Sequence, residues 1–126
     1  VTPIILIVED AAACATTLEI ALGQISGAAV HVVSSAGEAR SILGKDSEIC
    51  ALVTDIQLPD ASGLDLVRWV RSRPGAARLP IVVISGDSDP DTPATSLGLG
   101  ADAFFPKPFS PSVVRQKVEE LICRAA

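Results

Sequence analysis

Two short apolar runs that end in carboxylates constrain this chain more than any other feature. Ile4–Val8 runs into Glu9-Asp10, and residues 51–54 (Ala-Leu-Val-Thr) run into Asp55. A near-continuous apolar run of this length is the pattern of a strand covered on both faces, as in a parallel sheet. A carboxylate is costly to bury inside such a run, so each acid marks a strand's carboxyl end. Open α/β sheets build their sites at those ends. Three further segments fit the scheme. Residues 30–33 form one strand, residues 80–84 another that leads to Ser85, and residues 103–105 a short fifth that leads to Lys107-Pro108.

Helical spacing fills the intervals. Residues 13–24 carry Leu18 and Leu22 with Ile25 just beyond, and Gly27 breaks the run. Ala36–Lys45 turns Ala39, Ile42 and Leu43 inward, and Gly63–Arg71 turns Val67 and Val70 inward before Pro74-Gly75. A weak helix is predicted at 95–99, among Pro90, Pro93, Gly98 and Gly100. Ser110-Pro111 opens the last helix, where proline's missing N–H costs nothing. Val114, Val118 and Leu121 form its buried stripe. Five βα units in succession imply an α/β fold, a doubly wound (βα)5 sandwich on a five-stranded parallel sheet.

Composition narrows the function. The 126 residues are read as one domain, 1–126, with no output domain in the chain. An apolar content of 48% argues against disorder. No apolar run approaches the roughly 18 residues that span a membrane, and no signal peptide is visible. The lack of any Met, even at position 1, reads as a processed or excised segment. A net charge of −5 argues against direct nucleic-acid binding. Cys14, Cys50 and Cys123 are too scattered for a metal site or disulfide framework, and read as reduced thiols of a cytoplasmic protein.

The strand ends carry the chemistry. The expected topology makes the strands that end at Asp10 and Asp55 neighbours. Clustered carboxylates repel one another and invite a hard divalent cation. Mg²⁺ suits them, with Mn²⁺ as a substitute, because it takes carboxylate oxygens and keeps positions open for water and phosphate. A carboxylate in such a site can act as nucleophile and form an aspartyl phosphate. Lys107 would give a point charge to one phosphoryl oxygen, and the Ser85 hydroxyl a hydrogen bond to another.

On these residues the chain resembles the response-regulator receiver domains of two-component signalling, a CheY-like, flavodoxin-like family with sheet order 2-1-3-4-5. The likeness covers essentially all 126 residues. It implies that Glu9 and Asp10 hold the metal, with Asp10 the closer ligand, together with Asp55 and the backbone carbonyl of Gln57. Asp55 matches the phospho-acceptor, and Leu58-Pro59 and Gly63 the loop that follows it. Ser85 and Phe104 match the switch residues. Lys107-Pro108-Phe109 matches a signature in which the Lys107–Pro108 bond is typically cis, which a proline makes accessible.

The implied function is that of a phosphorelay receiver, not a classical enzyme: it promotes only its own phosphorylation and dephosphorylation. The implied partners are a sensor histidine kinase or histidine phosphotransfer protein, and an output domain or downstream protein that reads the fourth helix, fifth strand and fifth helix. The absence of Lys and Arg between Leu79 and Lys107 argues against a dimer held by charged pairs on the fourth helix, and favours a monomer or weak dimer. Ala11, Gly86 and Pro106 depart from the usual family residues.

Other readings are weaker. Residues 87–91 imitate the start of a calcium loop, but Thr92 stands where Gly is required and Gly98 where Glu is. Asp87 is instead expected to line the mouth of the site. Residues 98–103 imitate a dinucleotide fingerprint but precede a strand. His31 is read as a surface or structural residue, and Trp69 as partly buried. A phosphatase with an aspartyl nucleophile needs a second Asp where Gln57 stands. A phosphorylation-independent pseudo-receiver is the remaining alternative, against which the intact acids, Ser85 and Lys107 argue.

Overall fold

A computed structural model describes residues 2–45, 48–76 and 78–125. The elements alternate strictly: β1 (Ile4–Val8), α1 (Ala12–Leu22), β2 (Ala29–Val33), α2 (Ala36–Lys45), β3 (Ile49–Asp55), α3 (Gly63–Arg71), β4 (Ile81–Ser85), α4 (Thr92–Gly98), β5 (Ala103–Pro106) and α5 (Pro111–Ala125). All strand pairs are parallel, in the order β2-β1-β3-β4-β5.

The two-residue period of a strand divides the core. In β1, Ile5 and Ile7 face one layer, with Leu18 and Leu22 of α1 and Val114, Val118 and Leu121 of α5. Leu6 and Val8 face the other, with Ala39 of α2 and Leu66, Val67 and Val70 of α3. Both faces are therefore dry, which is why β1, β3 and β4 read as continuous apolar runs. Among the described residues no helix is long and apolar enough to cross a membrane.

Several boundaries differ from the sequence reading. Strand β3 starts two residues early because Ile49 pairs with Ile4, and it retains Asp55, which pairs with Ile84. Helix α1 stops at Leu22, and the Gly23 N–H closes onto the Glu19 carbonyl. Helix α4 begins at Thr92 rather than 95, because Pro93 falls in its first turn, the one place where a helix tolerates proline. Its buried residues are Thr92 and Ser96, so the usual apolar stripe is absent.

Arg71 holds the end of the sheet opposite Asp55. Its guanidinium donates to the carbonyls of Gly100 (2.9 Å), Leu79 (2.7 Å) and Ala76 (3.2 Å), and to the Asp102 carboxylate (3.0 Å). Asp102 in turn accepts the Ile81 N–H at 2.8 Å. Gly100 has φ +117°, and a Cβ there would lie 2.7 Å from Arg71 Cγ. Gly98, two residues earlier in α4, faces open space. Gly100→Ala is expected to cost about 1–3 kcal/mol in urea unfolding. Gly98→Ala is expected to be neutral or to stabilise by about 0.5–1 kcal/mol. Equal effects at the two positions would remove the role given to Arg71 and Gly100.

Candidate functional site

Parallel pairing sets the strand ends level. Val8 lies opposite Thr54, so Glu9 comes beside Asp55; Ser85 lies opposite Pro106, so Lys107 comes beside both. Backbone bonds fix the two flanking residues. The Glu9 N–H donates to the Val33 carbonyl at 3.0 Å, and the Lys107 N–H to the Ser85 carbonyl at 2.8 Å. The Lys107–Pro108 peptide is cis.

The Lys107 ammonium bridges two buried acids. Nζ donates to Glu9 Oε1 at 2.8 Å and to Asp55 Oδ2 at 2.9 Å. The Glu9 side chain is 1% exposed and that of Asp55 7%. Each acid's second oxygen takes a backbone N–H, from Ala11 on Glu9 (3.2 Å) and from Gln57 on Asp55 (3.3 Å). Asp10 is exposed at the rim. One carboxylate oxygen from each of Glu9, Asp10 and Asp55 lies within 4.8 Å of the others. That all-oxygen donor set, open on the Asp10 side, fits a small hard cation.

The two acids are held differently. Burial works against the charge on Glu9, but hydrogen bonds from Cys14, Lys107 and the Ala11 N–H outweigh it and keep that carboxyl below its ordinary value. Burial also raises Asp55; the Lys107 hydrogen bond opposes this, the Glu9 charge adds to it, and the carboxyl ends above its ordinary value. Burial works against the Lys107 charge too, yet the two acids prevail and raise it. Burial, the Glu9 hydrogen bond and the Glu9 charge push the Cys14 thiol up to about 12. Cys14 is thus a poor nucleophile, because thiol reactivity follows the thiolate.

A constellation of this kind occurs in many folds, and the whole chain decides what it belongs to. Residues 5–119 match the family model for the response regulator receiver domain. The chain belongs to that family. It is 35% identical over 96% of its length to the transcriptional regulatory protein GltR of Pseudomonas aeruginosa, of which it spans 49%. It is 26% identical over 94% of its length to a chemotaxis protein CheY homolog of Campylobacter jejuni, of which it spans 91%. A crystal structure of a putative response regulator from Chloroflexus aurantiacus superposes with a TM-score of 0.88 at 29% identity, covering 98% of this chain and all of that one.

In this receiver domain the loop after Asp55 is clamped at both ends. The Gly63 N–H donates to the Ile56 carbonyl at 2.7 Å. A Cβ on Gly63 would lie 1.9 Å from the Asp55 carbonyl oxygen, so only glycine lets α3 start there. The Ser62 hydroxyl caps α3 by accepting the Leu64 N–H at 3.1 Å. Asp60 does something the sequence reading missed. Its carboxylate accepts the N–H groups of Ala36 (2.9 Å) and Gly37 (2.8 Å), capping α2 from more than twenty residues away. Those two bonds hold its carboxyl below the ordinary value. In sequence Asp60 looks like any turn-forming Asp, and nothing local reveals its partner.

The remaining expected residues are placed as follows. Ser85 is fully buried, and its Oγ accepts the Asp87 N–H at 3.0 Å, which leaves its own proton free to be donated. Asp87 is exposed beside Ser85, and its two oxygens also accept bonds inside its own loop, from the Asp89 N–H (2.9 Å) and the Thr92 hydroxyl (3.0 Å). Phe104 is half-buried against the α2–α3 layer, opposite Val83. Gln57 is exposed and touches Asp55 through its N–H.

These shifts fix the sign of the pH dependence. Glu9, lowered, contributes stability above its unfolded value that is lost as pH falls through the folded one. Lys107, raised, contributes stability below its unfolded value that is lost as pH rises through the folded one. Asp55, raised, favours the fold while protonated and costs stability once pH exceeds its folded value. Asp55→Asn is therefore expected to stabilise the metal-free protein at pH 7 by about 1 kcal/mol, a gain that fades toward acid pH. Urea unfolding at several pH values checks this; a less stable variant at pH 7 would contradict it.

Proposed function

We propose that this domain is a phosphorelay receiver whose Asp55 takes a phosphoryl group from a phosphohistidine. The observation that carries the reading is the Lys107 ammonium, held 2.8 and 2.9 Å from two buried acids at the carboxyl edge of the sheet. Glu9, Asp10, Asp55 and the Gln57 carbonyl would hold Mg²⁺, or Mn²⁺ in its place. When bound, the ion supplies positive charge that offsets the acids and lets an anionic phosphoryl group approach.

Asp55 contributes the nucleophilic oxygen. A carboxylate oxygen bonds to phosphorus as the phosphorus–nitrogen bond breaks, and the electron pair leaves with the histidine ring of the donor. Lys107 then exchanges carboxylate partners for a phosphoryl oxygen, keeping a charge-assisted hydrogen bond throughout. Ser85 turns its free hydroxyl proton toward a second oxygen, and Phe104 moves into the space this leaves. The surface of α4, β5 and α5 changes with them. Phosphorylation drives this only to the extent that it stabilises the switched arrangement more than the resting one.

The donor is a sensor histidine kinase or a histidine phosphotransfer protein in the cytoplasm. The reader is an output domain or a separate protein, and the receiver itself acts as a monomer or weak dimer. The chain spans about half the length of GltR but most of the CheY homolog, and both arrangements suit such a module.

Intact mass after incubation with acetyl phosphate tests the reading. Wild type is expected to gain one phosphoryl group with Mg²⁺ and none without it, and Asp55→Asn none in either case. A folded wild type that gains nothing with Mg²⁺, or an Asn variant that gains as much as wild type, would favour a phosphorylation-independent interaction module.

A further inference from the structure

Cations are scarce on this acidic chain, and most are spoken for. Of ten Lys and Arg residues, six pair with carboxylates: Arg68, Arg71, Lys107, Arg115, Lys117 and Arg124. Arg40, Lys45, Arg73 and Arg78 make no such pair among the described residues. Lys45 and Arg73 lie where α2 and α3 end, and Arg40 reaches toward them from the middle of α2. The Arg73 guanidinium lies 4.5 Å from the centre of the Trp69 ring and that of Arg40 lies 5.6 Å from it. Arg40 Nε is buried with no hydrogen-bond partner.

Beside this cluster is a cavity of about 350 Å³. Its walls combine Lys45, Arg73 and Trp69 with the apolar side chains of Leu43, Ile49 and Leu79, and no described Asp or Glu lines it. The volume falls in the range of small-molecule sites, roughly 300–1,000 Å³. The cavity lies at the opposite end of α3 from Gly63 and Asp55, about 13 Å along a nine-residue helix.

The bland explanation is that these cations offset the carbonyl ends of α2 and α3. Those ends amount to about half a negative charge each, against the full positive charges of Lys45 and Arg73 at the cavity wall. Among the described residues that line the cavity the excess is positive, in a chain whose net charge is −5. An inorganic anion would leave the apolar wall unused, and a neutral hydrophobe would leave the cations unused.

We propose that the α2–α3 cavity is a binding site for a small organic anion, with its phosphate or carboxylate on Lys45 and Arg73 and its flat apolar body against Leu43, Ile49 and Leu79. The site is separate from Asp55.

Trp69 is the sole tryptophan and lines this cavity, so its fluorescence reports on it. The probes are adenosine 5′-monophosphate and 4-hydroxybenzoate, titrated at constant ionic strength, with adenosine and inorganic phosphate as separated halves. A saturable change with either anion, larger than with the halves, supports the proposal, and the better probe distinguishes phosphate from carboxylate. Lys45→Glu, at an exposed position, is expected to weaken binding about tenfold or more while acetyl phosphate still labels Asp55. Amide NMR shifts with the same probe are expected at the ends of α2 and α3. The proposal falls if neither anion gives a saturable change, if Lys45→Glu binds like wild type, or if the shifts centre on the loop after Asp55. Arg40 and Arg73 would then be clamps on Trp69 only.

Discussion

One ammonium shared by two buried carboxylates organises the working end of this receiver. Glu9 and Asp55 would repel each other at the dry end of a parallel sheet, and Lys107 makes the pair tolerable. The compensation is unequal. Glu9 is held below its ordinary value and Asp55 above its own, so Glu9 keeps its charge more easily and Asp55 is left with the residual cost. A buried ion pair is seldom a net source of stability, because desolvation offsets most of the attraction. The arrangement is better understood as a store of negative charge that a cation can offset. On the function proposed above, the residue that would do the chemistry is also the one that destabilises the resting fold.

The rest of the structure serves to hold that triad. Glu9 and Lys107 reach it from opposite sides of Asp55, each fixed by a backbone bond to the neighbouring strand. Gly63 lets α3 begin against the Asp55 carbonyl, and Asp60 ties the same loop to the start of α2. A change at Asp55 is thus in mechanical contact with two helices as well as with β4 and β5. At the far end Arg71 joins α3 to the segments leading into β4 and β5, which keeps both ends of that layer in register.

The sheet order, the layers and the acids at the strand ends were legible in sequence because each rests on a local pattern. Continuous apolar runs mark doubly covered strands, and a carboxylate cannot sit inside one. Helix α4 starts three residues before the predicted 95 because its buried positions are Thr92 and Ser96, so periodicity gives no signal there. Asp60 and Arg71 escaped notice for one reason. Their partners are far along the chain, and a polar side chain's long-range partner leaves no trace in spacing.

The central claim is that Lys107 changes partners when a phosphoryl group arrives on Asp55. A crystal structure of the protein with Mg²⁺ and beryllofluoride, a phosphoryl mimic, tests this most directly. The account predicts the mimic on Asp55, with Lys107 Nζ withdrawn from the Asp55 carboxylate and bonded to the mimic. Lys107 still bridging Glu9 and Asp55, with the mimic in place or excluded, would contradict it.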